Sequence, residues 1–191
     1  MSGKPLANLR SATGIATPKL AVWWLLVSEI VIFGGVLASY LMHRLAHPEF
    51  ALYAAHTNTM AGATNTFVLL TSSLTAVLAH QAAESGDGKK AARYLLYTIG
   101  GALMFLVIKG FEWTNEIQHG YTISSNAFWA FYYTAAGIHA GHVIAGAIVM
   151  AVVAWDAHHG REMHRVELAG IYWHFVDLVW IFLFPLLYIA K

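Results

Sequence analysis

His174 and Asp177 stand three residues apart inside YWHFVDLVWIFLFPLLYI, a stretch whose other side chains are aromatic, aliphatic or proline. Three residues apart on a helix is one face, so the carboxylate can accept the imidazole N–H and fix which ring nitrogen carries the proton. That arrangement serves a metal-bound histidine from its outer shell, and it serves equally as a structural hydrogen bond. A second pair with the same spacing, His139 and His142, lies in FYYTAAGIHAGHVIAG. Metal or haem ligation and plain packing are both open for these four residues, and the two pairs can meet in one half of a helical bundle. Glu29 is a lone carboxylate in WWLLVSEIVIFGG, readable as a proton-related or partner-contacting group or as a neutral acid hydrogen-bonded inside the protein. Lys109, Glu112 and Glu116, at spacings of three and four, read as a solvated or snorkelling charge cluster. His158, His159 and His164 sit in a polar connection with no HExxH pattern and receive no role. The chain has no cysteine, which removes disulfides, iron–sulfur clusters and thiolate metal sites and leaves its 11 histidines as candidate ligands.

The elements that must hold these residues follow from composition. Of 191 residues, 58% are hydrophobic and 11% charged, with a mean hydropathy of +0.56, which is outside the range of ordinary soluble domains. Five apolar runs stand out, 20–42, 64–83, 94–113, 127–155 and 168–189. Each approaches or exceeds the roughly 20 residues that span a hydrocarbon core of about 30 Å. The runs are continuous rather than alternating, so each is a helix satisfying its own backbone, not a barrel strand. The expected fold is an all-α integral membrane bundle of five transmembrane helices: a polar leader over 1–19, retained rather than cleaved, and a single domain over 20–191. At 1.5 Å per residue Glu29 lies about 14 Å into the first span, and His174 and Asp177 lie roughly 9 to 14 Å into the fifth. Ionisable groups at such depth are costly, and they must face protein, pair or lose their charge.

Gly86, Gly88, Gly120 and Gly160 mark the breaks between spans, and the segment from His43 to Gly62, with Pro48, is long enough for a surface helix or a partner contact. Gly34, Gly35, Gly100, Gly101, Gly137, Gly141 and Gly146 are positions where helix backbones are expected to approach closely. Lys4, Arg10, Lys19, Lys89, Lys90, Arg93, Arg161 and Arg165 fall on one side of the membrane, against Arg44, Lys109 and Lys191 on the other. The positive-inside rule then predicts the N-terminus inside and the C-terminus outside. A net charge of +1 offers no basic patch for nucleic acid. No internal repeat is visible, which counts against a repeat-built transporter, although Glu29 keeps a small proton-coupled transporter among the alternatives.

In order along the chain, WWLLVSEIVIFGG, NTFVLLTSS, KGFEW, FYYTAAGIHAGHVIAG and YWHFVDLVWIFLF resemble subunit III of the haem–copper oxidases, from Val22 to the C-terminus. The resemblance implies an accessory, non-catalytic membrane subunit beside subunit I of a terminal oxidase that reduces oxygen and translocates protons in aerobic respiration. It implies no haem or copper in this chain, those belonging to subunits I and II, with phospholipid as a candidate ligand and subunit IV as a further candidate partner. By motif, Glu29 matches the family's carbodiimide-reactive glutamate. Glu112 matches KxxE-aromatic, His139 and His142 match GxHxxHVxxG, and His174 with Asp177 match YWHFVD. These six form the expected intramembrane polar network, serving proton uptake, lipid or packing, with His174 and Asp177 expected to satisfy each other. The longest family members have two further helices at the front, and the five-helix pattern is that of short bacterial forms, which points to a bacterial plasma membrane. A subunit III-like protein of a quinol oxidase or a nitric oxide reductase is the alternative within the same resemblance.

Overall fold

The computed structural model describes residues 17–190, and the expected leader, apart from its last three residues, lies outside them. The chain runs as α1 (Thr17–Ala46), α2 (Phe50–Ala54), α3 (Thr59–Glu84), α4 (Gly88–Gln118), α5 (Ala127–His158) and α6 (His164–Phe184), with a π-helical turn over Pro185–Ile189. Among the described residues, five helices are long and apolar enough to cross a membrane: α1, α3, α4, α5, and α6 with the π turn that continues it. Thr17 marks the lower end of the bundle and Ala46 the upper, and successive long helices alternate in direction. The segment between the first two spans contains the short α2, one of the two structures expected of it.

Local chemistry sets the helix ends. Asn58, Asp87 and Asn126 each accept a backbone N–H three residues on, at 3.0, 2.9 and 3.1 Å, so α3, α4 and α5 all open on a side-chain cap. At the far end of α5, Gly160 takes a φ of +69°, and Arg161 N donates to Asp156 O at 2.9 Å, a glycine-closed terminus. Pro185 has no N–H to donate back into α6, and the backbone widens into the π turn, where Ala190 N reaches Pro185 O at 2.9 Å.

Helices α3, α4, α5 and α6 pack in cyclic order, each against the next and α6 back against α3, while α1 lies outside them on α5 and α6. The core is aromatic: Trp129, Trp173, Trp180, Tyr132, Tyr188 and Phe105 are all but inaccessible. Helices are also tied by side-chain hydrogen bonds, Trp173 Nε1 to Ser72 Oγ at 3.1 Å, Trp180 Nε1 to Thr66 Oγ1 at 3.0 Å and Thr75 Oγ1 to Thr98 Oγ1 at 2.8 Å. In lipid, apolar burial drives little association, so these bonds and tight packing carry the helix contacts. Helix α1 buries only Leu26, Phe33 and Tyr40, spaced seven residues apart along a narrow seam, and exposes Trp23, Trp24, Val27 and Val31.

Close approach at glycine is confined to fewer positions than the sequence suggests. Gly34, Gly35, Gly100, Gly137 and Gly141 face open space, whereas a Cβ on Gly101 would lie 2.6 Å from Ser72 Cβ and one on Gly146 3.0 Å from the Trp173 ring. The pattern of small residues is similar at both kinds of position, and only helix rotation separates them. Gly101→Ala is therefore expected to force α3 and α4 apart at a cost of about 1–3 kcal/mol. Its neighbour Gly100→Ala should be neutral or mildly stabilising through helix propensity. Unfolding of the two variants in mixed micelles compares them directly, and equal effects would contradict the packing.

Candidate functional site

Near the upper end of the bundle, α4 carries Lys109, Glu112 and Glu116 on one inward face, and α5 and the π turn bring Tyr132 and Tyr188 over them. Lys109 is 1% exposed, Glu112 5% and Glu116 3%, so the expectation of a solvated or snorkelling cluster is corrected: these groups are inside the protein. An ammonium has three donors. Lys109 Nζ places them on Glu112 Oε2 at 3.0 Å, on Tyr132 OH at 3.1 Å, and on Tyr188 OH. The charge also lies 4.8 Å from the Tyr132 ring centre, 4.9 Å from Tyr188 and 5.5 Å from Trp180, an aromatic cage suited to a cation. The Tyr132 hydroxyl faces Glu112 Oε1 and Glu116 Oε1, both at 3.0 Å, so one phenolic proton is offered to two carboxyl oxygens. Glu116 Oε2 has no partner. The cluster holds charge and protons in place, and it is too enclosed for a substrate to touch.

Nearer mid-height, α1 meets α5. Glu29 Oε2 stands 2.9 Å from His142 Nε2, while His142 Nδ1 sits 2.8 Å from Ile138 O. The carbonyl can only accept, so Nδ1 carries a hydrogen and Nε2 is left facing an oxygen. A stable contact there needs one proton between the two groups, on either the carboxyl or the ring. The two atoms are close but not aligned as a formed hydrogen bond. The two side chains are 12% and 21% exposed, so the pair opens partly onto the bundle surface. The Phe33 ring packs edge-on against His142, with centroids 5.2 Å apart.

The remaining expected residues do not join them. His139 is fully buried between Trp180 and Phe105, at centroid distances of 5.1 and 5.4 Å, with neither nitrogen hydrogen-bonded. His174 turns to α3, where its Nδ1 meets Ser73 Oγ at 2.6 Å. The expected mutual pairing with Asp177 is therefore replaced: Asp177 neighbours the Ser73 hydroxyl, yet neither of its oxygens makes a hydrogen bond. Residues three apart share a face, but a serine on the next helix offered His174 the shorter path. The two histidine pairs do not converge, and among the described residues no group of three or more His, Asp or Glu is placed to hold a metal ion.

Sequence reasoning missed Tyr132 and Tyr188 as partners of the charges. Their signal was present, since a buried lysine in an apolar span needs acceptors and these phenols lie at the matching depth on other spans.

A family model for cytochrome c oxidase subunit III matches residues 12–191. The chain is similar to "Cytochrome c oxidase subunit 3" of Corynebacterium diphtheriae, 32% identical over 173 residues that cover 87% of this chain and 84% of the relative. It is similar to the protein of the same description from Bacillus sp. strain PS3, 29% identical over 197 residues, with 97% and 92% covered. With that of Podospora anserina it shares 39% identity over 128 residues, which are 65% of this chain and 46% of the relative. Motif order, a helical membrane bundle and these likenesses agree: the chain belongs to the cytochrome c oxidase subunit III family.

Proposed function

We propose that this accessory subunit III of a haem–copper oxidase acts as a non-catalytic flank of subunit I that sustains its proton uptake and its lifetime during turnover. The observation that carries the reading is the division of the polar groups into two sets. The Lys109 cluster is closed and holds the helices together, whereas Glu29 and His142 form a one-proton pair that opens partly onto the bundle surface. A group of that kind can exchange a proton with a neighbour without reacting. Haem and copper belong to subunits I and II, with subunit I as the main contact, subunit II and subunit IV as further partners, and cytochrome c as the electron donor, the donor in the relatives' names.

The lower end faces the cytoplasm of a bacterial plasma membrane in this reading, supported by Lys19, Lys89, Lys90, Arg93, Arg161 and Arg165 lying there. Phospholipid is seated, in this reading, in an apolar groove of about 410 Å³ between α1, α5 and α6, lined by Val22, Leu25, Val149, Leu168 and Tyr172 with Arg165 at its lower rim.

Glu29→Gln in the intact complex tests the proposal. Copurification with subunits I and II and the initial rate of oxygen reduction should match the wild type, while the number of turnovers before inactivation falls. Immediate loss of all oxygen reduction would place Glu29 in the chemistry and overturn the reading, and so would unchanged endurance.

A further inference from the structure

The sequence HRLAH at the upper end of α1 has no part in either polar set. His43 and His47 are four residues apart, on the final turn of α1 and just beyond it, and both are exposed. His43 Nδ1 lies 2.9 Å from Ser39 O, which can only accept, so that nitrogen carries a hydrogen and Nε2 of the neutral ring is a bare lone pair. His47 repeats the arrangement with a carboxylate, its Nδ1 standing 3.1 Å from Glu49 Oε1. The two rings are nearly parallel, at 23°, with centroids 6.4 Å apart.

Those are the features of histidines prepared for a metal. A metal-ligating histidine almost always gives its other N–H to a backbone carbonyl or a carboxylate, which fixes the tautomer and the ring direction. Two imidazoles on one ion, with bonds of ~2.0–2.1 Å, place their centroids about 5–6.4 Å apart between tetrahedral and linear geometry. The observed 6.4 Å with nearly parallel rings is that of the linear limit, so one exposed ring must turn for both Nε2 lone pairs to meet a tetrahedral ion. The potential is favourable too, because the last carbonyls of α1 and the Glu49 carboxylate are negative, and the nearby Arg44 guanidinium is directed at Tyr40 OH at 3.3 Å.

We propose that His43 and His47 form a two-histidine seat for one divalent transition-metal ion of the zinc, copper or nickel class, with Glu49 orienting His47 and water completing the coordination. The bound ion would fasten the end of α1 to the entry of α2, beside Phe131, whose ring centre is 5.0 Å from that of His43.

Equilibrium dialysis of the purified oxidase against Zn2+ tests this. The wild-type complex should retain one equivalent more than His43→Ala, and one more than His47→Ala, with no further loss in the double variant. Glu49→Gln should weaken that equivalent about 10–100-fold. Single variants that bind as much Zn2+ as the wild type, or a loss seen only in the double variant, would overturn the site. A second measurement needs no variant: Cu2+ added to the wild-type complex should give a new signal carrying two remote imidazole nitrogens, and a signal with one or none would also overturn it.

Discussion

Lys109→Met alone should destabilise the bundle by about 3–5 kcal/mol, the cost of leaving one member of a buried ion pair without its partner. The substitution keeps an unbranched side chain one atom shorter and removes the charge and its three donors. Glu112 then loses its 3.0 Å contact, and two phenol oxygens lose a donor in a site with almost no exposure. Lys109→Met combined with Glu112→Gln should recover at least half of that loss, because matched removal of both charges is often neutral or stabilising. The recovery is incomplete, since Glu116 and the two tyrosines were arranged around an ammonium. Unfolding of Lys109→Met, Glu112→Gln and the double variant in mixed micelles gives the coupling energy, and a double cost equal to the sum of the two single costs would mean that the pair contributes nothing of its own.

Trp180→Ala is the second large effect, expected at about 3 kcal/mol, the lower end of the range for removing a buried aromatic. The lower end applies because lipid is as good a solvent as the core for an exposed apolar group, so the cavity and the lost contacts remain while the transfer term shrinks. Trp180 joins α6 to α3, α4 and α5 in the upper core. Its indole donates to Thr66, its ring meets Phe105 edge-on at 4.9 Å and His139 at 5.1 Å, and Lys109 lies 5.5 Å from its centre. Trp180→Phe should keep most of the packing and lose about 1 kcal/mol for the hydrogen bond, so Thr66→Val in the same background should add little. A Trp180→Phe variant as unstable as Trp180→Ala would show that the indole N–H, rather than ring volume, holds α6 to α3.

The spans were legible in the sequence because a run of about 20 apolar residues has few alternatives in a membrane. Their ends were not. Helix α4 begins at Gly88 and ends at Gln118, well outside the run 94–113, since Lys89, Lys90 and Arg93 continue the helix at the lower end and Glu116 is hidden by other helices at the upper. Hydropathy reads such residues as loop. Glu29 and His142 were both legible as intramembrane groups, but their contact depended on how α1 is rotated against α5, which spacing along one helix does not encode. The burial of Lys109 was read wrongly for a related reason: its phenol partners come from 23 and 79 residues away, and spacing along α4 alone points to neither, although both lie at the matching depth on other spans. His174 shows the opposite failure, where a sequence neighbour at the right spacing lost to a serine 101 residues distant.

Helix α1 is held at its upper end by the Tyr40 hydroxyl, which donates to Leu186 O at 2.9 Å across a separation of 146 residues. That acceptor is free for a side chain because Ala190 N, which an α-helix would give to Leu186 O, bonds Pro185 O in the π turn instead. During synthesis, then, this span is made long before its latch exists, with three of its 30 residues buried against neighbours and most of the others apolar and exposed. Its upper tie can form only after the turn following α6 has been made, whereas its contact with α5 at Glu29 and His142 has both partners at hand earlier. Translation order thus separates the two attachments of α1 in time.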